Sequence, residues 1–226
     1  MLERALSRVQ GKVSKSLQQL AERRFPEMIE DLMLVALGSW ADHDWHTFDR
    51  QEVNCTAQLY RWLRIAKRGS PQFVYLNVEL EYLNLTPAML AGEESVVNAQ
   101  RPDLSISIGE TGIHVECKRL LTSGPWCHHY VHKGIQRFVS SSYGANEQQG
   151  MMVGYIQQAT LDGLLGSVNG FVEAHPMMGS GHQLATAQPP ASYGSRHRSH
   201  HVRTSDVPID LSHYWVLLGE SLTQAD

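Results

Sequence analysis

RPDLSISIGETGIHVECKRL, residues 101–120, holds two short runs in which apolar and polar residues alternate. Leu104, Ile106 and Ile108 alternate with Asp103, Ser105 and Ser107; Ile113, Val115 and Cys117 alternate with His114, Glu116 and Lys118. Successive side chains of a strand point to opposite faces, so each run predicts a strand with one apolar side. Gly109, Glu110, Thr111 and Gly112 between them predict a tight hairpin connection. Matching the apolar sides fixes the parity of pairing, because a slip of one residue would turn one of them to water. Pairing Ile108 with Ile113 meets that condition. It sets Asp103 opposite Lys118 and diagonal to Glu116, at Cβ separations of roughly 5 Å and 7 to 8 Å.

Two carboxylates and an ammonium thereby converge on one face. The carboxylates repel unless something positive lies between them. Hard oxygen donors with vacant positions suit Mg²⁺ or Mn²⁺, which keep waters or substrate phosphate oxygens. Asp103 and Glu116 are therefore candidate metal ligands, and the main-chain carbonyl of Cys117 is a neutral third. The competing reading is a surface hairpin in which Asp103 and Lys118 form an ordinary cross-strand ion pair.

Working outward, FDRQEVNCTAQLYRWLRIAKRGSP predicts a helix with Asp49 as N-cap and Glu52 in its first turn, ending at Gly69 and Pro71. QFVYLNVELEYLNL reads as one long strand, and Pro87 to Gln100 as a loop or short helix. After the hairpin, HHYVHKGIQRFVSSSYG reads as a helix, GMMVGYI as a buried strand and IDLSHYWVLL as a final strand. From about Gly179 to Asp206 the Gly, Ser, His, Pro and Arg content predicts a long surface loop. At the start, Leu2, Leu6, Val9, Val13, Leu17 and Leu20 form a helical apolar stripe that needs the protein body or a second copy against it. A second apolar helix is expected near Pro26 to Leu37.

The 226 residues, 42% apolar and 19% charged, suit one substantial core. A net charge of -4 argues against gripping nucleic acid with the whole surface, though local basic clusters remain available. Three cysteines, Cys55, Cys117 and Cys127, make no disulfide framework; the polar start is no secretory signal, and no apolar stretch reaches membrane-spanning length. A cytoplasmic protein with no membrane association is expected. Lys133, Gln136, Arg137 and Ser140 fall on neighbouring helical turns and suit either a phosphate backbone or a solvated face. Arg61, Arg64, Lys67 and Arg68 suit the solvated face better. SYGSRHRSHHVR brings Arg196, Arg198 and Arg203 together without an acid, as a loop that follows phosphates or one that is merely mobile. Cys127, His128, His129 and His132 lack a second ligand pair at zinc spacing, and no Walker loop or G-x-S-x-G elbow is present.

Pro102-Asp103 with Glu116-Cys117-Lys118 resembles the motif of the PD-(D/E)XK nuclease superfamily, over about Asp49 to Gln157. The resemblance implies an α/β fold: a restriction-endonuclease-like core, a mixed β-sheet flanked by helices, spanning residues 46–226 after an N-terminal helical extension, 1–45. It also implies hydrolysis of phosphodiester bonds, most readily in DNA, with Mg²⁺ or Mn²⁺ on the acidic pair. Lys118 would be the catalytic amine. Glu52 resembles the upstream helical glutamate that completes such sites as a further metal ligand, in competition with Glu79 and Glu81. Restriction, repair or defence in bacteria or phage is the setting the resemblance implies, with a homodimer or larger complex through the N-terminal helix as a further expectation. The alternative is a catalytically silent protein of the same fold that binds nucleic acid or a protein partner.

Overall fold

A computed structural model describes residues 15–43, 51–81, 101–203, 205 and 207–219. Helices α1 (Lys15–Ala41) and α2 (Glu52–Gly69) precede strands β1 (Asn77–Leu80), β2 (Leu104–Ile108) and β3 (Thr111–Leu120). Helix α3 (126–139) leads to β4 (Gln149–Ile156), then come α4 (Leu164–Ala174), β5 (Ala185–Ala191), β6 (Gly194–His201) and β7 (Ile209–Leu217). The result is an α/β protein with one seven-stranded mixed sheet, in the order β1-β2-β3-β4-β7-β6-β5. β3, β4 and β7 run parallel at its centre, and every other pairing is antiparallel.

The central strands are covered on both faces, which is why GMMVGYI reads as an unbroken apolar run. Met151, Val153 and Tyr155 of β4 join one apolar cluster with α1 and α2; Met152 and Ile156 join a second with α3 and α4. α1 contributes Phe25, Ile29, Leu32, Met33, Ala36, Leu37 and Trp40 to the first cluster, at the three- and four-residue steps of one helix face. It runs unbroken through Pro26, where two helices were expected. The bond lost at the proline is outweighed by that continuous buried stripe. The side chains of the expected Leu2 to Leu20 stripe lie outside the described residues.

Three local expectations need correction. Pro71–Phe73 is a 3-10 turn and the strand after it is only Asn77–Leu80, while residues 82–100 lie outside the description. Asp49 also lies outside it, and the N-cap position of α2 belongs to Gln51, which makes no side-chain cap. The Gly179 to Asp206 segment contains the β5–β6 hairpin instead of one long loop. Composition misled there because β6 buries polar side chains, Ser195, Arg196, His197, Ser199 and His201, each matched by a hydrogen bond or an ion pair.

The opening hairpin forms with the expected parity but two residues out of the expected register. Ile108 pairs with Thr111 and Leu104 with Val115, so the connection is only Gly109 and Glu110. Gly109 has φ 57°, the positive first central position that a two-residue hairpin of this kind assigns to glycine. Apolar sides still match because two is the period of a strand. Among the described residues no helix is long and apolar enough to cross a membrane.

Candidate active site at the free edge of β3

β3 has ten residues and β2 only five. Past Val115, β3 is paired with β4 on one side but has lost β2 on the other. Its main-chain groups on that side need partners, and two carboxylates supply them. The N–H of Cys117 donates to Oδ2 of Asp103 at 2.7 Å, and the N–H of Arg119 donates to Oε2 of Glu52 at 3.0 Å. The carbonyl of Cys117 accepts from Nζ of Lys118 at 2.8 Å. The late start of β2 at Leu104 therefore creates the site, and Glu52 reaches it from the first turn of α2, where a carboxylate is favoured by the helix N-terminus.

Lys118 holds the group together. Its Nζ lies 2.7 Å from Glu116 Oε1, 3.0 Å from Glu52 Oε1 and 3.9 Å from Asp103 Oδ2. Asp103 is thus beside Cys117 and not opposite Lys118 as the expected register had it, yet the three expected groups and Glu52 do converge. Glu79 instead accepts from Asn77, and Glu81 meets Asp103 through its main-chain N–H. Arg137, expected to meet a phosphate backbone or to lie on a solvated face, donates to Glu116 Oε1 at 2.9 Å and also bonds the hydroxyl of Tyr143, which donates to the carbonyl of Arg101. Nothing in the spacing of Tyr143 announces that link.

The polar face of β3 does not look onto water. Glu116 is fully buried and Lys118 is 8% exposed, because α3 lies across them. A Cβ at Gly134 would come 2.5 Å from the terminal methyl of Met152 on β4, so a side chain there would have to displace that flexible methionine. Burial, and then the charge of Asp103, push the Glu116 carboxyl up to about 7. Burial also raises Asp103, against the pull of Lys118. Burial by itself would lower Lys118, but Glu116, Asp103 and Glu52 outweigh it and hold the ammonium above the usual lysine range. It is therefore protonated at neutral pH.

No protein-family model, curated protein or solved structure matches this chain. Its chemistry must be read from its own side chains.

Oε2 of Glu116 is buried with no hydrogen-bond partner. Such an orphan is costly, and together with Asp103 and the Cys117 carbonyl it makes a donor set of two carboxylates and a carbonyl, the kind Mg²⁺ takes alongside waters or phosphate. Both oxygens of Glu52 are already engaged. Among the described residues no group of three or more His, Cys, Asp or Glu side chains is placed to hold a metal. A divalent ion therefore fits as a guest of Asp103, Glu116 and the carbonyl, with Lys118 giving ground, and not as the content of a closed cage.

The other candidate positions divide. Lys133 is exposed and Gln136 half-buried on α3, open to a substrate. Arg196 is buried in an ion pair with Glu30 of α1, which disqualifies it as a phosphate contact; Arg198, exposed, pairs with the same carboxylate at 2.8 Å. Arg203 is buried too, clasping the carbonyls of Gly144, Ala145 and Glu147. The loop expected to follow phosphates or to be merely mobile is thus a strand, in which Arg196, and Arg203 just past its end, serve the fold.

Proposed function

We propose that the protein is a metal-dependent nuclease with a restriction-endonuclease-like core, hydrolysing phosphodiester bonds in DNA with Mg²⁺ or Mn²⁺. The observation that carries the reading is the convergence of Asp103, Glu116, Lys118 and Glu52 at an interrupted strand edge, with one carboxylate oxygen buried and unpartnered.

Asp103, Glu116 and the carbonyl of Cys117 would hold the ion. When bound, it would supply a polarised phosphate and a more acidic water. Lys118, kept protonated by three carboxylates, places positive charge where the phosphate oxygens gain negative charge. Glu52 fixes that ammonium from behind and ties it to the main chain at Arg119. Arg137 shares the Glu116 charge and, through Tyr143, anchors it to Arg101. The sheet thus pre-positions a cation for the reaction without needing the substrate to order it.

A second reading has one observation in its favour. Lys118 and Arg137 already neutralise much of the acidic cluster from within, as they would in a silent relative that only binds. Incubating the purified chain with plasmid, linear and single-stranded DNA and with RNA, with and without Mn²⁺, separates the two. Metal-dependent cutting that disappears in Asp103→Asn and Lys118→Ala supports the enzyme; binding without cutting, unchanged by either substitution, supports the silent protein.

A further inference from the structure

Trp40, Trp62 and Trp215 are buried in the two apolar clusters, whereas Trp126 belongs to neither and is half-buried at the start of α3. What holds its ring is a cation: the guanidinium of Arg119 lies 3.7 Å from the indole centroid. The ring of His129 meets the indole edge-on, at 5.9 Å and 89°. Arg119 is also the residue whose main-chain N–H anchors Glu52, so the support of the indole and the support of the candidate site are one residue. His129 lies close enough for the charges of Glu52 and Lys118 to act on it, while burial and Lys133 hold its imidazole below the ordinary histidine range. On α3, Trp126, His129, the exposed Lys133 and Arg137 follow one another at steps of three and four residues, and Arg137 at the far end reaches Glu116.

We propose that the Arg119-backed indole of Trp126, with His129 at its edge, is a stacking seat for an unpaired nucleobase next to the phosphate held at Lys118, which makes single-stranded nucleic acid the substrate class. This rests on the nuclease reading above and deepens it. In a duplex both faces of a base are covered by its neighbours, so only a base splayed out of the stack can lie on an indole. A guanidinium on one side of the ring orients the half-buried indole, and the proposal gives its other side to the base. Lys133, one helical turn beyond His129, meets the next phosphate as a mobile point charge.

The test uses the full chain and end-labelled oligonucleotides of one sequence, as single-stranded DNA, single-stranded RNA and blunt duplex DNA. Binding is read by anisotropy in Ca²⁺ and cutting by gel in Mn²⁺. The expected result is tighter binding of the single strands. Trp126→Ala should weaken that binding by about ten- to a hundredfold, and Trp126→Phe, which keeps an aromatic face, should recover most of it. An abasic nucleotide walked along the DNA oligomer should find one position where binding by the unsubstituted chain drops and binding by Trp126→Ala does not drop further. Equal weakening on duplex and single strand, or abasic losses that add to the Trp126→Ala loss at every position, would overturn the stacking seat. The nuclease reading would still stand if Mn²⁺-dependent cutting is abolished by Asp103→Asn. Absence of cutting on every substrate would instead remove the nuclease reading and leave the binding comparison to judge Trp126. The RNA arm shows whether the sugar matters to the seat.

Discussion

Lys118 and Glu116, two residues apart on one face of β3, form a buried ion pair of 2.7 Å in which the carboxylate has no exposure at all. A lysine so placed is expensive to desolvate, and neighbouring carboxylates from β3, α2 and the approach to β2 keep it charged. Lys118→Met, which keeps the aliphatic bulk, should lower cleavage at saturating Mn²⁺ by about a hundredfold or more. It should also destabilise the fold more at pH 8 than at pH 6. At the lower pH Glu116 takes up a proton and the lost partner matters less. Melting curves at the two pH values check this; equal losses at both would show that the pair is not coupled as described.

Glu116 sets the pH dependence of metal uptake. Its carboxyl, pushed up to about 7 by burial and by Asp103, must lose its proton to serve as a ligand. Calorimetric titration with Mn²⁺ should therefore give an affinity that rises about tenfold per pH unit below 7 and levels off above it. Glu116→Gln should abolish that slope, and Asp103→Asn should weaken uptake without removing it. Because the folded value is raised, neutral Glu116 contributes stability that is complete below the unfolded value of 4.5 and is lost as pH rises through about 7. Glu116→Gln should then be the more stable chain above pH 7 in the absence of metal.

Arg196 and Glu30 belong to the fold. Arg196 is 2% exposed, between β6 and α1, and Glu30 is shared with exposed Arg198. Removing the acid leaves a buried guanidinium uncompensated, so Glu30→Ala should cost about 3 kcal/mol in denaturant unfolding. Arg198→Ala should cost less than about 1 kcal/mol, since that pair is exposed on the arginine side. Neither variant should change the affinity for DNA by more than about twofold. A large loss of binding in Arg198→Ala would return β6 to the nucleic-acid surface.

The parts of this architecture that could be read from sequence are those set by period. Alternation from Asp103 to Lys118 fixes which side chains share a face, and the apolar run of β4 marks a strand covered on both sides. Parity survives a register error of two residues, which is why Asp103, Glu116 and Lys118 meet although the expected pairing of Ile108 with Ile113 is replaced by Ile108 with Thr111. The error arose because Thr111 and Gly112, read as turn residues, belong to β3. Glu52 could be named only through the family resemblance and in competition with Glu79 and Glu81; its contact with Lys118 spans 66 residues and depends on where β2 begins. Arg137 could be placed on a helix but not turned toward Glu116. β6 was the largest misreading, since GSRHRSHH has neither apolar alternation nor a β-branched residue, and a matching set of partners on α1, β5, β7 and the turn at Ser180–His182 makes it a strand.

Those partners lead to the last prediction. A buried chain of hydrogen bonds runs from the indole N–H of Trp215 to the hydroxyl of Tyr130 at 3.1 Å and on to His213 Nδ1 at 2.9 Å. From His213 Nε2 it continues to Ser199 Oγ at 2.7 Å, then to His201 Nε2 at 2.6 Å, and from His201 Nδ1 to His182 Nδ1 at 2.9 Å. With neutral rings one orientation satisfies every link. Tyr130 donates to His213, His213 to Ser199, Ser199 to His201 and His201 to His182. The reverse orientation leaves the Tyr130 proton without an acceptor in this chain. A proton added at the half-buried His182 forces that reversal, and a proton added to His201 or His213 places a bare charge in the core. Burial holds His201 at about 3 and His197 at about 4, with His182, His200 and Arg203 adding to the effect on His201; His213 is held well below the usual range by burial and by the other two. Each is depressed relative to the unfolded value of 6.5, so the stability contributed by the neutral rings is present above 6.5 and lost as pH falls. The loss is about 1.4 kcal/mol per pH unit per ring. Glu116 acts in the opposite direction between 4.5 and 7, and raised Asp103 acts with it, but they are two carboxyls against three imidazoles. Net stability should fall by several kcal/mol between pH 6.5 and 4.5, a large part of the roughly 5–15 kcal/mol of an ordinary domain. Ser199→Ala, which cuts the chain in its middle, should cost about 1–3 kcal/mol at pH 8 by stranding two buried imidazole nitrogens. Denaturant titrations across that pH range, with the Ser199→Ala chain alongside, measure both; a stability that is flat from pH 7 to 5 would show that these rings are not held neutral by the fold.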